Sequence, residues 1–262
     1  MGEDEMTASS GQDRPDQPAL DAAADQEDLR ESLSGLSHLA TGRLGLENTL
    51  TQVAHFAVRA IPGADGAGLT LLEEGRSDTI VATAKFVTEI DDIQYGLGQG
   101  PCVSAAAEGR TMMSDSLGSD QRWPEFGSKV AGLGVHSALS LPLITAGRVV
   151  GAMNIYAHRR DVFTERAAEI GELFAVPAAV AVQNAQVLSQ ARRLATQLQA
   201  TLSNRAVIDR AIGIIMSRSG GTAEQALAKL RKSSEKANKD ISAVAQRIID
   251  EAVRLAEARH GG

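Results

Sequence analysis

Aromatic residues are nearly missing from this sequence: Phe, Tyr and Trp make up 3% of its 262 residues. Its cores therefore have to be aliphatic, built from Ala, Leu, Val and Ile, in a chain whose apolar fraction of 43% is near the globular norm. Cysteine occurs once, at Cys102. No disulfide can close within the chain, and a reducing cytoplasm is the compartment this usage fits. No apolar run approaches the roughly 18 residues of a membrane span; the longest, Phe174–Val182, is interrupted by Pro177. The opening stretch MGEDEMTASSGQDRPDQ has neither the basic nor the apolar region of a signal peptide. The expectation is a soluble cytoplasmic protein with no membrane partner.

The signatures of catalysis are also absent. His38, His55, His136, His158 and His260 have no His or Cys three or four residues away, so a dedicated metal site is not expected. There is no CxxC pair, no Ser/His/Asp order and no helix of paired carboxylates. The glycine-rich GLGQGP (Gly96–Pro101) lacks the GxGxxG spacing of a nucleotide loop. These absences predict no catalytic residues, no metal and no cofactor, and hence a protein that is not an enzyme.

What is present is an uneven distribution of charge. Residues 190–262 hold 13 Lys+Arg against 7 Asp+Glu, whereas residues 1–189 hold 13 against 26. A basic, helix-patterned C-terminal segment on an acidic body points to a nucleic acid or an acidic partner. Residues 1–31 carry ten acidic and two basic side chains and few large apolar ones. Such a segment buries too little surface to offset its ordering entropy and is expected to be a disordered tail.

From Leu29 the pattern turns helical. Leu33, Leu36, Leu39, Leu46, Leu50, Val53 and Ala57 recur at helical spacing until Ile61-Pro62-Gly63 ends the run. Ala67–Glu73 and Thr79–Ala84 read as a hairpin about a turn at residues 74–78. A loop is expected through Asp91-Asp92. Pro101 suits the first position of a helix over Cys102–Gly109. Thr111–Asp115 reads as extended and Glu125–Leu133 as a short helix. His136–Ile144 and Arg148–His158 form a second hairpin. A long helix from Phe163 to Leu188 is capped by Thr164 and contains Pro177. The fold class expected is α+β, one antiparallel sheet with helices on one face.

That order of elements, with the stretches GADGAGLTLLE, LGQGPC and SALSLPLITAGRVVGAMNIYA, resembles a GAF domain, a small-ligand sensor fold. The likeness places the sensor at 32–188, with its core at about 46–188. A pocket of such a domain would be bounded here by Cys102, Asp115, Trp123 and Phe126, and would take a small ligand or a partner that the sequence does not identify. Cys102 stands near the first turn of its helix, where backbone N–H groups and the dipole lower a thiol pKa. A redox sensor or a GAF-type thiol reductase is the alternative that this position raises, against a plain buried core residue. Trp123 and Phe126 read either as ligand contacts or as core plugs.

No turn signal follows Ala185 until Gly220-Gly221, so the sensor's last helix is expected to run on through a linker or coiled coil at 189–201. Val187, Ala191, Leu194, Leu198 and Leu202 keep a spacing of three to four, close to a heptad seam, which favours a homodimer. Two further helices follow, the first capped by Thr222, the second starting after Asn238-Lys239.

The residues Arg205, Ile208, Ala211, Gly213, Met216, Arg218, Ala226, Leu230, Arg231, Asn238, Val244 and Ala245 together resemble an ANTAR domain, an all-α three-helix RNA-binding module of transcription antiterminators, here at 194–257 before a tail at 258–262. Ile212 stands where that family often has lysine. The resemblance implies RNA hairpins as partners and antitermination as function. The candidate RNA-binding residues are Arg205, Arg210, Gly213, Arg218, Arg231, Lys232, Asn238 and Lys239. The basic ones can neutralise phosphates, and with no aromatic after residue 190, base stacking is not their device. Gly213, mid-helix, costs about 1 kcal/mol relative to Ala; a close approach of another backbone, protein or RNA, would explain it, and packing in the core of the bundle is the expected form of that approach. A module docking on protein or on DNA is the further alternative.

Overall fold

The computed structural model describes residues 17–39, 44–73 and 76–260, and the chain divides into two compact units, Met1–Ser189 and Gln190–Gly262. Contrary to the expectation of a tail up to residue 31, the acidic N-terminal stretch is helical from Gln17: α1 spans Gln17–Leu39. Its carboxylates are structural. Asp28 and Glu31 pair with Arg59, and Asp25 pairs with Arg166 at 3.1 Å, while Leu36 is buried. Residues 1–16 of the expected tail lie outside the described residues.

The helix α2 (Leu46–Ala60) buries Leu50, Val53, Ala54 and Ala57, the apolar period read from the sequence. The strands β1 (Gly66–Glu73) and β2 (Arg76–Ala82) follow; β2 begins and ends earlier than the expected Thr79–Ala84. The segment expected as a loop through Asp91-Asp92 is instead a helix, α3 (Lys85–Leu97). Then come α4 (Pro101–Glu108), with Pro101 in its first turn, β3 (Met112–Ser114), and α5 (Pro124–Ala131). The strands β4 (Ser137–Thr145) and β5 (Arg148–Ala157) form the second hairpin. The helix α6 is continuous from Glu165 to Ser219 with Pro177 inside it, and Thr164 accepts a hydrogen bond from the amide of Ala167.

The five strands form one sheet in the order β2-β1-β5-β4-β3, every pairing antiparallel, with Leu69 opposite Met153, Ser140 opposite Asn154, and Met112 opposite Ser140. Alternation along the strands gives the sheet two different faces. One presents Leu69, Leu71, Leu139, Leu141, Met153 and Ile155, which join Leu50 and Val53 of α2 and Phe174 and Val182 of α6 in a single apolar core. Each such side chain contributes roughly 1.5–3 kcal/mol when fully buried. The other face presents Thr70, Ala138, Ser140, Asn154 and Tyr156, and it is buried as well. Tyr156 and Ala138 pack there with Val87 and Ile90 of α3, Ala105 of α4 and Phe126 of α5. Helices therefore cover both faces of the sheet, not one, because the polar second face finds its partners in α3 rather than in water.

The second unit is built from the end of α6 with α7 (Ala223–Ala237) and α8 (Ile241–His260). Its core is Ala211, Leu230, Val244 and Ala245, surrounded by Val207, Ile208, Ile215, Ile241, Ile248 and Ile249. Thr222 and Gln225 form a capping box at the start of α7, each side chain bonding the other's backbone amide. Among the described residues no helix is long and apolar enough to cross a membrane.

Candidate functional site

In the first unit the chemistry gathers on the polar sheet face. The helix α3 buries Val87, Ile90, Asp91 and Gln94, a spacing of three and four that puts two polar groups on its inward side. The fit is close. A Cβ on Gly68 of β1 would lie 2.6 Å from Asp91 Oδ2, so glycine lets α3 settle on the sheet. Asp91 Oδ1 accepts hydrogen bonds from Tyr156 OH at 2.6 Å, Asn154 Nδ2 at 3.0 Å and Gln94 Nε2 at 3.0 Å. Gln94 Oε1 accepts from the backbone amide of Cys102 at 2.9 Å, and Ser140 Oγ donates to Asn154 Oδ1. Tyr95 OH bonds Thr70 Oγ1 and lies 3.2 Å from Cys102 Sγ. A buried polar network of this kind holds a unique arrangement when its members are satisfied.

Of the two readings of Cys102, these surroundings favour the plain buried core residue over the activated thiol. It does sit in the first turn of α4, but the thiol is 1% exposed. Burial first, and the charge of Asp91 second, push its pKa up to about 12; desolvation outweighs the helix terminus. Tyr95 and Tyr156 are raised in the same direction, again mainly by burial. The folded protein should therefore resist a thiol-alkylating reagent at pH 8 and react fully once denatured. Mass spectrometry checks this, and equal labelling of native and denatured protein contradicts the environment described.

Trp123 and Phe126 are core residues, with Trp123 Nε1 donating to Ser104 Oγ at 2.9 Å and the Arg122 guanidinium 4.3 Å above the indole. Cys102, Trp123 and Phe126 are thus brought to one face of the sheet. Asp115 is not: it is exposed, and its part is a backbone oxygen that accepts from Ser137 Oγ and the amide of Asp161. None of the four lines the groove of about 350 Å3 that opens beside Arg110, Thr111, Pro142, Glu172 and Val176. The sequence reading missed Asp91, Gln94, Tyr95, Asn154 and Tyr156. The signal available was the helical spacing of Asp91 and Gln94 with Val87 and Ile90.

In the second unit Arg205, Arg210, Gly213, Arg218, Arg231, Lys232, Asn238 and Lys239 are all exposed. Arg231 and Lys232 share an open groove on α7 with Glu224, Leu227, Ala228 and Glu235. Asn238 occupies the left-handed region at φ 47° and closes α7, its amide bonding Ser234 and Glu235 oxygens, a conformation Asn tolerates. Among the described residues, no ion pair involves Arg205, Arg210, Arg218, Arg231, Lys232 or Lys239. Gly213 departs from expectation: a Cβ there would meet nothing within 4 Å, so packing inside the bundle is not its reason.

Comparison with known proteins places both units. No curated protein matches the chain. Solved structures that it resembles include a GAF domain from a phosphoenolpyruvate-protein phosphotransferase of Coxiella burnetii, at 18% identity over 62% of this chain and 96% of that one, TM-score 0.48. A type II free methionine-R-sulfoxide reductase from Thermoplasma acidophilum aligns at 15% identity over 52% and 92%, TM-score 0.40. The fRMsr of Staphylococcus aureus aligns at 13% over 60% and 94%, TM-score 0.47. The family model for the GAF domain matches residues 44–183, and that for the ANTAR domain matches residues 196–249. The chain belongs to the GAF domain family and carries an ANTAR domain after its GAF domain.

Proposed function

We propose that this protein is a signal-responsive RNA-binding regulator that relieves transcription termination in the cytoplasm. The GAF domain takes a small ligand or a partner, and the ANTAR domain binds RNA hairpins as part of a homodimer. The observation that carries the reading is the set of exposed cations on the ANTAR bundle that make no ion pair among the described residues. Cations left open to solvent are available to displace counterions from phosphates. The absence of any aromatic side chain after residue 190 leaves hydrogen bonds and arginine planes to read splayed bases. The chain acts as a regulator and not as an enzyme: its single thiol is buried and protonated, which is the wrong state for a nucleophile.

Signal and RNA are linked because each favours one state of the protein; the coupling then equals the difference in their affinities for the two states. The test is a mobility-shift titration of the full chain with RNA hairpins and with duplex DNA of matched length. Hairpins are expected to bind more tightly at equal salt. Equal or tighter binding of duplex DNA overturns the RNA reading, and no binding of either overturns a nucleic-acid role. Light scattering checks the homodimer, with twice the mass of the chain as the expected result.

A further inference from the structure

The helix α7 has two exposed flanks of different character. Ala226 and Leu230 are its buried side, and at about 100° per residue the remaining positions fall to either side of them. Gln225, Lys229, Lys232 and Lys236 lie within roughly 60° of one another on one flank, and all four are exposed. Glu224, Arg231 and Glu235 lie within roughly 40° of one another on the other flank, where they share the open groove with Leu227. One flank of α7 is therefore three lysines with no carboxylate among them. The other is a single cation set between two acids.

The lysine flank is open along its length. None of its three lysines belongs to an ion pair among the described residues. Lys229 is held by a neutral group instead, its Nζ donating to Ser219 Oγ at 2.9 Å. Ser219 ends α6, and Gly220 and Gly221 after it carry no side chain that would screen this end of the flank. Like charges three and four residues apart destabilise a helix. This flank has two such pairs in succession, Lys229 with Lys232 and Lys232 with Lys236, and no acid of α7 lies between them to offset the repulsion.

We propose that Lys229, Lys232 and Lys236 form a ladder that follows the phosphates of one strand in the double-stranded stem of an RNA hairpin. This rests on the RNA reading and specifies which part of the hairpin α7 grips. Steps of three and four residues set the charges about 4.5 and 6 Å apart along a straight helix. A regular series of cations needs a regular series of anions opposite it. A stacked duplex strand supplies one, with one charge per nucleotide at a near-constant rise; an open loop does not. A lysine ammonium is a compact charge on a flexible stem, and a phosphate contact carries no sequence information. Double-stranded RNA is recognised in just this way, by shape and through its phosphates and 2′-hydroxyls. Glu224 and Glu235 keep the other flank off the same strand, because their charge repels phosphate. Lys232, which also borders the groove, stands where the two flanks meet. The ladder thus grips any stem, and the choice of loop falls to other residues.

The experiment replaces Lys229, Lys232 and Lys236 by Gln, singly and together, in the full chain. Glutamine forms helices about as well as lysine, and circular dichroism confirms that each variant is folded. Each is titrated at several salt concentrations with two hairpins that share a stem but differ in loop, and with one strand of that stem left unpaired. The slope of log affinity against log salt is expected to fall by about one unit for each lysine removed. The triple variant should bind both hairpins about tenfold or more weakly, by the same factor whatever the loop, and should lose much less on the unpaired strand. A loss confined to one loop, or equally large on the unpaired strand, overturns the stem ladder. An unchanged slope on the stem also overturns it and leaves these lysines to an acidic protein surface. A wild type that binds no RNA overturns the RNA reading itself, and the ladder with it.

Discussion

Arg231→Ala combined with Lys232→Ala should weaken RNA-hairpin binding by roughly 2 kcal/mol, about thirtyfold at moderate salt. Both side chains are exposed on α7 and make no ion pair among the described residues, so their charges are available to phosphates. Removing each cation from a phosphate should also reduce the slope of log affinity against log salt by about one unit. The slope separates phosphate neutralisation from a loss of shape, because a misfolded bundle would lose affinity without keeping a simple salt law. Stability should change by less than about 0.5 kcal/mol, the usual effect of a surface substitution. Glu224 and Glu235 share the same groove and supply the control of sign: Glu235→Gln should tighten binding. A double variant that keeps wild-type affinity and slope removes α7 from the RNA interface.

Asp91→Ala should destabilise the GAF domain by about 3 kcal/mol or more. The carboxylate accepts from Gln94, Asn154 and Tyr156, all on a buried face where no solvent replaces it. Removing it leaves those donors without their acceptor and opens a void above Gly68. Asp91→Asn keeps the volume but sets an amide N–H group among donors, so it should recover only part of the loss. Trp123 is the single tryptophan and is buried in this domain. Its fluorescence in a denaturant titration therefore follows the GAF domain alone. The Cys102 thiol, raised partly by the charge of Asp91, should fall toward its ordinary value in Asp91→Asn yet stay above it, since burial is the larger cause. An unchanged midpoint in both variants would mean the network does not hold α3 to the sheet.

These two sites differ in how far they could be read in advance. The basic residues of the ANTAR bundle were legible because surface cations do not need a tertiary partner to be recognised; their charge imbalance is a property of the sequence. The helix α3 was not, because Asp91 and Gln94 interrupt its apolar period on the very face that is buried. A pattern reader takes two adjacent acids, Asp91 and Asp92, for a loop. The N-terminal acids failed for the related reason that Asp25, Asp28 and Glu31 find arginines far along the chain, which composition alone does not reveal.

The order of the strands, the continuity of α6 and the sign of charge on its C-terminal part follow from local spacing, turn residues and side-chain type. Which face of the sheet is polar yet dry, whether a helix N-terminus or its burial governs Cys102, and whether Gly213 packs inward were decided only by tertiary structure. Each of these depends on what residues distant in sequence place around a group, and desolvation and packing act through that neighbourhood rather than through the residue's own identity.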